Sequence, residues 1–310
     1  MEKKLVVLTG PTAVGKTKLS IALAKSIDGE IISADSMQVY QKMDIGSAKI
    51  MPDEMAGVPH FLIDIISPSE AFNVVVFQQK AKAAMDDIYS RGKTPIIVGG
   101  TGFYIQAILN DIEFDENEQS TEIREKYEHL LQEQGEDVLH QELAKVDEQA
   151  AAEIHPHNSK RVIRALEYFE QTGQKISEHN QEQRAKQSPY DFRYFVLNDD
   201  RGNLYKRIDE RVDKMIADGL IDEVKGLHED GYTKDMVSMQ GLGYKEILEY
   251  LDGECSLEDA VCRIKRDTRH FAKRQVTWFK RERDVIWVNK DEFDYNDKHI
   301  LNYMLDEIKI

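Results

Sequence analysis

Residues 10–17 read G-P-T-A-V-G-K-T, with the apolar run Leu5-Val6-Val7-Leu8 directly before them and a helical stretch directly after. A buried strand, a glycine-bearing turn and a helix N-terminus in this order aim backbone N–H groups at an anion. Lys16 adds a point charge for phosphates, and Thr17 offers a hydroxyl to Mg²⁺. Gly10, Pro11, Thr12, Ala13, Val14, Gly15, Lys16 and Thr17 are therefore the expected binding site for a diphosphate or nucleotide. A glycine-rich turn with no ligand is the bland alternative. It leaves the agreement of spacing, lysine, hydroxyl and strand–helix context without a reason.

The rhythm begun by this motif continues. Residues 5–8, 30–33, 61–65 and 94–98 read as apolar strands, and residues 15–26 and 73–90 as helices. Continuous apolar strands alternating with helices predict a parallel sheet covered on both faces, as in P-loop NTPases. Ligands of such sheets lie beyond the carboxyl ends of the strands. The phosphate loop, Asp35 and the turn Gly99-Gly100-Thr101 all fall at such ends and are expected to share one crevice. From residue 111 to about 188 the apolar strands stop and Glu, Gln and Lys dominate. Helical spacing at 123–134, 137–146 and 159–172 predicts an all-helical insertion over 111–188, with the α/β core formed by 1–110 and 189–310. Residues 193–197 read as a returning strand, 201–218, 221–229 and 257–283 as helices, and 284–288 as a final strand.

Charge distribution matters more than its total. The 310-residue chain carries net charge −16, which argues against a nucleic-acid partner. Yet residues 265–283 hold 8 basic residues against 2 acidic ones, while 111–153 hold 15 acidic and 3 basic. A basic stripe on an acidic body can grip a phosphate backbone, though a solvated helix face explains the stripe equally well. No apolar run approaches the roughly 18 residues of a membrane span, and the immediate entry into a strand predicts no signal peptide. Cys255 and Cys262 fit neither a disulfide framework nor a zinc signature, so a reducing cytoplasm is the expected compartment and a monomer suffices.

Among residues that could carry chemistry, Asp35 stands out as a carboxylate at a strand end beside a phosphate loop. It could accept a proton from a nucleophile, hold Mg²⁺ through water, or merely form an Asx-turn. Ser36 and Gln38 could bond a base edge or cap a turn. Asp64, in L-I-D, is a weak candidate for a Walker-B acid. Arg207 and Arg211, four apart on a predicted helix, could clamp phosphate oxygens or pair with neighbouring acids. In K-R-Q-V-T-W-F-K-R, from Lys273 to Arg281, cations alternate with Trp278 and Phe279. That mixture suits backbone attraction plus base stacking, although at least one of the aromatics is expected in the core. No histidine spacing suggests zinc.

Taken together, GPTAVGKT (10–17), ISADSMQVY (32–40), MDIGSAK (43–49), PHFLID (59–64), IIVGGTGFY (96–104), HPHNSKRVIRALE (155–167), LGYKE (242–246) and AKRQVTWFK (272–280) resemble the bacterial tRNA dimethylallyltransferases, also called tRNA isopentenyltransferases. The resemblance runs nearly end to end. It implies transfer of a dimethylallyl group from dimethylallyl diphosphate to N6 of the adenosine just 3′ of the anticodon in tRNA. It further implies Asp35 as the catalytic carboxylate, Thr17 as the Mg²⁺ ligand, and Lys16 and Arg211 as partners of the diphosphate, with Arg207 nearby. The positions implied to contact tRNA are Asp35, Ser36, Met37 and Gln38, then Thr101 and Arg124. They continue with Lys160, Arg161, Val162, Ile163 and Arg164, and with Gln240, Gly241, Leu242, Gly243, Tyr244 and Lys245. Lys273, Arg274, Gln275, Trp278 and Lys280 complete them. The anticodon arm is implied to lie between core and insertion. Gln240 and Gly241 depart from the more basic residues of some relatives, and no zinc finger follows the matched region.

Two other functions fit parts of the pattern. A P-loop kinase or NTPase would bind ATP at the same motif but needs a defined Walker-B acid. Prenylation of free adenine nucleotides would need no extended basic surface, so the 273–283 stripe favours tRNA.

Overall fold

The computed structural model describes residues 3–114 and 121–309. The chain divides into two compact units, Met1–Ile108 with Tyr190–Ile310, and Leu109–Pro189.

The first unit opens with β1 (Lys4–Thr9), α1 (Lys16–Ser26) and β2 (Gly29–Ala34). A two-residue β3 (His60–Phe61), then α2 (Val74–Ser90), β4 (Thr94–Gly99) and α3 (Gly102–Leu109) follow. Asn73 caps α2 by accepting from Val75 N–H and Val76 N–H. The six strands of the unit form one sheet in the order β3-β2-β4-β1-β5-β6, where β5 is Asp191–Asn198 and β6 is Val285–Asn289. Every pairing is parallel. The buried runs of β1 and β2 explain this, because strands covered on both faces carry no polar alternation. Val6, Leu8, Ile31, Ile96 and Phe195 bury one face against Leu19 and Leu23 of α1 and Ile300 and Met304 of α12 (Asp297–Lys309). Each fully buried aliphatic side chain of this kind contributes about 1.5–3 kcal/mol.

Residues 61–65 were expected as a full strand, and the structure ends it at Phe61. Leu62 and Asp64 adopt positive φ (62° and 55°), which takes the chain out of extended geometry. Buried Lys49 holds Asp64 in its new direction.

After β5 come α8 (Arg201–Ala217), α9 (Leu220–Glu229), α10 (Tyr244–Leu251) and α11 (Leu257–Phe279). Helix α10 and α12 were not read in the sequence. Helix α11 ends four residues before the expected boundary at 283.

The second unit is helical, with α4 (Thr121–Val146), α5 (Glu148–Glu153), α6 (Ser159–Thr172) and α7 (Ile176–Ala185). Gly135 breaks α4 with φ 83° and ψ 174°, so 123–134 and 137–146 behave as two helices, as their spacing predicts. Gly173 ends α6 in the left-handed region. Leu139, Leu143, Val162, Ile163 and Leu166 form its core. No helix among the described residues is long and apolar enough to cross a membrane.

Candidate active site

The phosphate loop leaves the sheet between β1 and β5. Gly10 has φ +142°, and a Cβ there would lie 2.3 Å from the Leu197 carbonyl oxygen, so only glycine lets the chain pass. Ala13 (φ 62°) and Gly15 (φ 100°) both take the left-handed region, curling the backbone into a concave turn. Helix α1 then starts at Lys16 with no side-chain cap on its N-terminus. Its first-turn N–H groups have no intrahelical acceptor and stay available to an anion. Pro11 and Val14 are buried beneath the loop, and Thr17 is exposed at its mouth. Lys16 Nζ donates to the carbonyls of Gly10 and Pro11, both at 2.9 Å, and so lies across the loop.

Two further charges share this space. The Lys16 ammonium is lowered to about 8, chiefly by burial and then by the nearby Arg211 guanidinium, with Asp35 opposing the shift. Burial also lowers Arg211, again opposed by Asp35. Among the described residues Arg211 makes no hydrogen bond or ion pair. Lys16 and Arg211 destabilise one another as cations, and an added anion would relieve both.

Asp35 follows the last residue of β2. Its Oδ1 accepts from Met37 N–H (2.8 Å) and, more weakly, from Gln38 N–H (3.4 Å). This is the Asx-turn the sequence allowed, and it fixes the carboxylate beside the loop. Oδ2 takes no hydrogen bond among the described residues. The neighbouring strand ends are latched together: Thr9 Oγ1 donates to Gly99 O at 2.6 Å, and Thr101 N–H to Ala34 O at 3.2 Å. Gly10, Asp35 and Thr101 therefore converge, as their positions at strand ends predict.

Other expected contact residues are turned inward. The Gln38 amide donates to Ala48 O (3.3 Å) and Ser47 O (3.5 Å), and its oxygen accepts from Ser33 Oγ (3.3 Å). Met37 packs on Gly241, joining the 35–38 turn to the 240–245 segment. Tyr244 is fully buried, packed on Gly46, with its hydroxyl donating to Glu223 at 2.7 Å. Gly243 caps α10 at φ 95° and is buried, Leu242 is half-buried, and Gln240 and Lys245 are exposed, with Gln240 donating to the Lys234 carbonyl. Val162 and Ile163 belong to the helical core, where side chains have no access to RNA. Lys160 and Arg161 are exposed, and Arg164 is half-buried with its guanidinium lowered by burial. Arg124 pairs with buried Glu167, Nε to Oε1 at 3.0 Å.

The Walker-B reading of Asp64 does not hold. Lys49, 6% exposed, donates to Asp64, to Asp44 at 2.6 Å and to the Tyr40 carbonyl at 2.7 Å. An acid neutralised by a buried lysine is not a metal ligand in waiting. Arg207 pairs with buried Asp199 through one terminal nitrogen, whereas Arg211 has no acidic partner within ion-pair distance among the described residues.

Sequence reasoning missed Glu223. Its carboxylate accepts from the N–H groups of Asp44 (2.9 Å), Ile45 (2.7 Å) and Gly46 (3.1 Å), and so fixes the 43–49 loop that in turn holds Gln38. Lys290 was also missed. It lies just past β6, with Nζ 3.4 Å from Val14 O of the phosphate loop. Nothing in the local sequence marks either residue.

Helix α11 is split along its length. Arg263, Lys265 and Arg269 pair with Glu249 (2.5 Å), Asp213 (2.6 Å) and Asp209 (2.5 Å). Beyond them Lys273, Arg274 and Lys280 are exposed and have no acidic partner among the described residues. With His270, Thr277, Trp278 and Arg281, the first two line an open groove of about 440 Å³. Phe279 is the core aromatic, whereas Trp278 is half-buried against Gly102 and edge-on to Phe103. Gln275 is buried (7% exposed) and faces the loops instead of solvent.

Known proteins are similar to this chain over nearly its whole length. The family model for IPP transferases matches residues 38–282. A curated tRNA dimethylallyltransferase of Lachnoclostridium phytofermentans is 62% identical over 301 residues, covering 97% of this chain and 96% of its own. The crystal structure of the full-length tRNA isopentenylpyrophosphate transferase of Bacillus halodurans is 44% identical, with a TM-score of 0.75 over 99% of this chain and 97% of that one. A eukaryotic dimethylallyltransferase acting on tRNA is 34% identical, with a TM-score of 0.79 over 93% of this chain and 74% of its own. Matched by the family model over most of its length and by relatives that it covers almost end to end, the chain is an enzyme and belongs to the IPP transferase family.

Proposed function

We propose that this enzyme transfers the dimethylallyl group of dimethylallyl diphosphate to N6 of the adenosine 3′-adjacent to the anticodon in tRNA, releasing diphosphate. The observation that carries the reading is the meeting of Lys16, Arg211 and Asp35 at the strand ends, two cations and one carboxylate around an uncapped helix N-terminus. The cations suit a leaving diphosphate, and the carboxylate suits an amine that must lose a proton.

In the reaction the C1–O bond of the donor breaks and its electron pair leaves on the diphosphate. The N6–C1 bond forms, and one amine proton passes to Asp35. Adenine N6 is a poor nucleophile because its lone pair is delocalised into the ring, so a carboxylate that accepts an N–H bond both orients it and takes the proton. The loop amides, Lys16 and Arg211 stabilise the charge that develops on the diphosphate. The base must leave its stack to reach the crevice.

Mg²⁺ is the metal these residues suit. Thr17 offers an exposed hydroxyl at the start of α1, and no group of three or more His, Cys, Asp or Glu among the described residues could hold a metal. One protein hydroxyl, with phosphate oxygens and water for the rest, is the ligand set Mg²⁺ accepts. Bound there it would neutralise charge on the donor diphosphate.

The exposed cations Lys273, Arg274 and Lys280 favour tRNA over a free nucleotide, which would need no such surface. Lys160, Arg161 and Lys245 are further exposed cations on segments assigned to RNA. Both cysteines are free, in keeping with a reducing cytoplasm. The test is direct: incubation with Mg²⁺, dimethylallyl diphosphate and unmodified tRNA should yield N6-dimethylallyladenosine, and AMP in place of tRNA should yield none. Prenylation of AMP at the tRNA rate would refute the RNA assignment.

A further inference from the structure

The side chain of Gln275 bridges two loops that are remote in sequence. Its Oε1 accepts from the Thr12 N–H of the phosphate loop at 2.9 Å. Its Nε2 donates to Gly100 O, in the turn that carries Thr101, at 3.0 Å. The approach is close enough that a Cβ on Gly100 would lie 2.2 Å from Nε2, so the turn has a glycine where the amide reaches it. One helical turn on, Trp278 closes over Gly102, where a Cβ would meet the indole at 2.3 Å. Helix α11 therefore docks on both loops through its inner face, while Lys273 and Arg274 beside Gln275 point to solvent.

We propose that Gln275 is a positioning residue that holds the donor loop in register with the acceptor-side turn, and that α11 thereby couples RNA docking on its outer flank to diphosphate binding on its inner one. The coupling rests on the prenyl-transfer reading given above. A carboxamide, uncharged at any working pH, accepts from an amide on one side and donates to a carbonyl on the other. Gln275→Glu keeps the acceptor and places a second oxygen against Gly100 O. Gln275→Met keeps the length and removes both bonds.

The experiment measures inorganic diphosphate binding to the full chain by calorimetry, with and without an unmodified anticodon stem-loop, alongside kcat and both KM values. Melting curves establish that each variant folds. In the wild type the stem-loop is expected to tighten diphosphate binding about 5-fold or more, a coupling of the usual allosteric size. In Gln275→Met and Gln275→Glu that factor should fall toward one and kcat should drop about 10-fold or more, with the KM for tRNA within about 3-fold of wild type. A rise in the KM for tRNA with kcat unchanged would make Gln275 an RNA contact and overturn the proposal. So would a coupling factor of one in the wild type, or full coupling in both variants. Diphosphate binding is read apart from chemistry: a wild type that binds diphosphate but prenylates no RNA contradicts the proposed reaction, and loosened diphosphate binding in both variants would still show the clamp.

Discussion

The crevice at the strand ends and the outer flank of α11 hold their charges in opposite ways. In the crevice Lys16, Arg211 and Asp35 are few, half-buried and crowded, with Lys16 bent onto loop carbonyls and Asp35 locked by its own turn. Along α11 and at its end the cations Lys273, Arg274 and Lys280 are exposed and have no acidic partner among the described residues. Crowded, oriented groups act on a bond being made or broken, whereas exposed cations act on a backbone wherever it lies. The first kind of site is expected to govern kcat, and the second to govern affinity and its dependence on salt.

The sharpest way to break this contrast is Asp35→Ala. Prenyl transfer should fall by about 10²-fold or more while stem-loop affinity stays close to wild type. An affinity loss as large as the rate loss would merge the two regions into one binding surface. Arg211→Ala comes next. A charged hydrogen bond to the diphosphate contributes about 1.5–3 kcal/mol, so kcat/KM for the donor should fall by roughly 10- to 100-fold, as steady-state kinetics at saturating tRNA would report.

The pH profile probes the same crowding. Lys16 is held at about 8, below the ordinary 10.5 of lysine, so its ammonium form is complete below that pH and lost as pH rises through it. Donor kcat/KM should therefore decline above about pH 8. In Lys16→Arg the side chain stays charged, and the decline should disappear even though the rate is lower. A wild-type profile flat to pH 10 would show that Lys16 does not meet the diphosphate.

The smallest effects separate the two halves of α11. Lys273→Ala should weaken tRNA binding a few-fold and lower the slope of log affinity against log salt by about 0.7–0.9. Arg269→Ala removes a cation already paired with Asp209 at 2.5 Å, and the slope should stay where it is. Equal slopes for both variants would mean that pairing within the protein does not decide which cations reach RNA.

Much of this was legible in the chain, for reasons that differ between regions. The phosphate loop, β1, β2, β4 and the convergence of Asp35 with Thr101 follow from local rules: apolar runs, a glycine turn and ligands at strand ends. The cation–aromatic stretch was also visible, but its division was not. Gln275 lies 263 residues from Thr12, and the acids that neutralise Arg263, Lys265 and Arg269 come from α8 and α10, so only the folded chain pairs them. Glu223 was invisible for the same reason, since its three amide partners are some 180 residues away. The short strand at 60–61 was overestimated because F-L-I-D-I has strand composition, while the Lys49 contact that bends Asp64 away is tertiary. Helix α10 is marked only faintly in the sequence, by Gly243 ahead of it and by Ile247 and Leu248 on its buried face.

The most direct measurement is a crystal structure of the chain soaked with inorganic diphosphate and bound to an unmodified anticodon stem-loop. Diphosphate on the amides of residues 15–17, between Lys16 and Arg211, with the exocyclic amine of the extruded adenine hydrogen-bonded to Asp35, is the predicted result. Diphosphate held elsewhere, or an adenine whose amine faces away from Asp35, would contradict it.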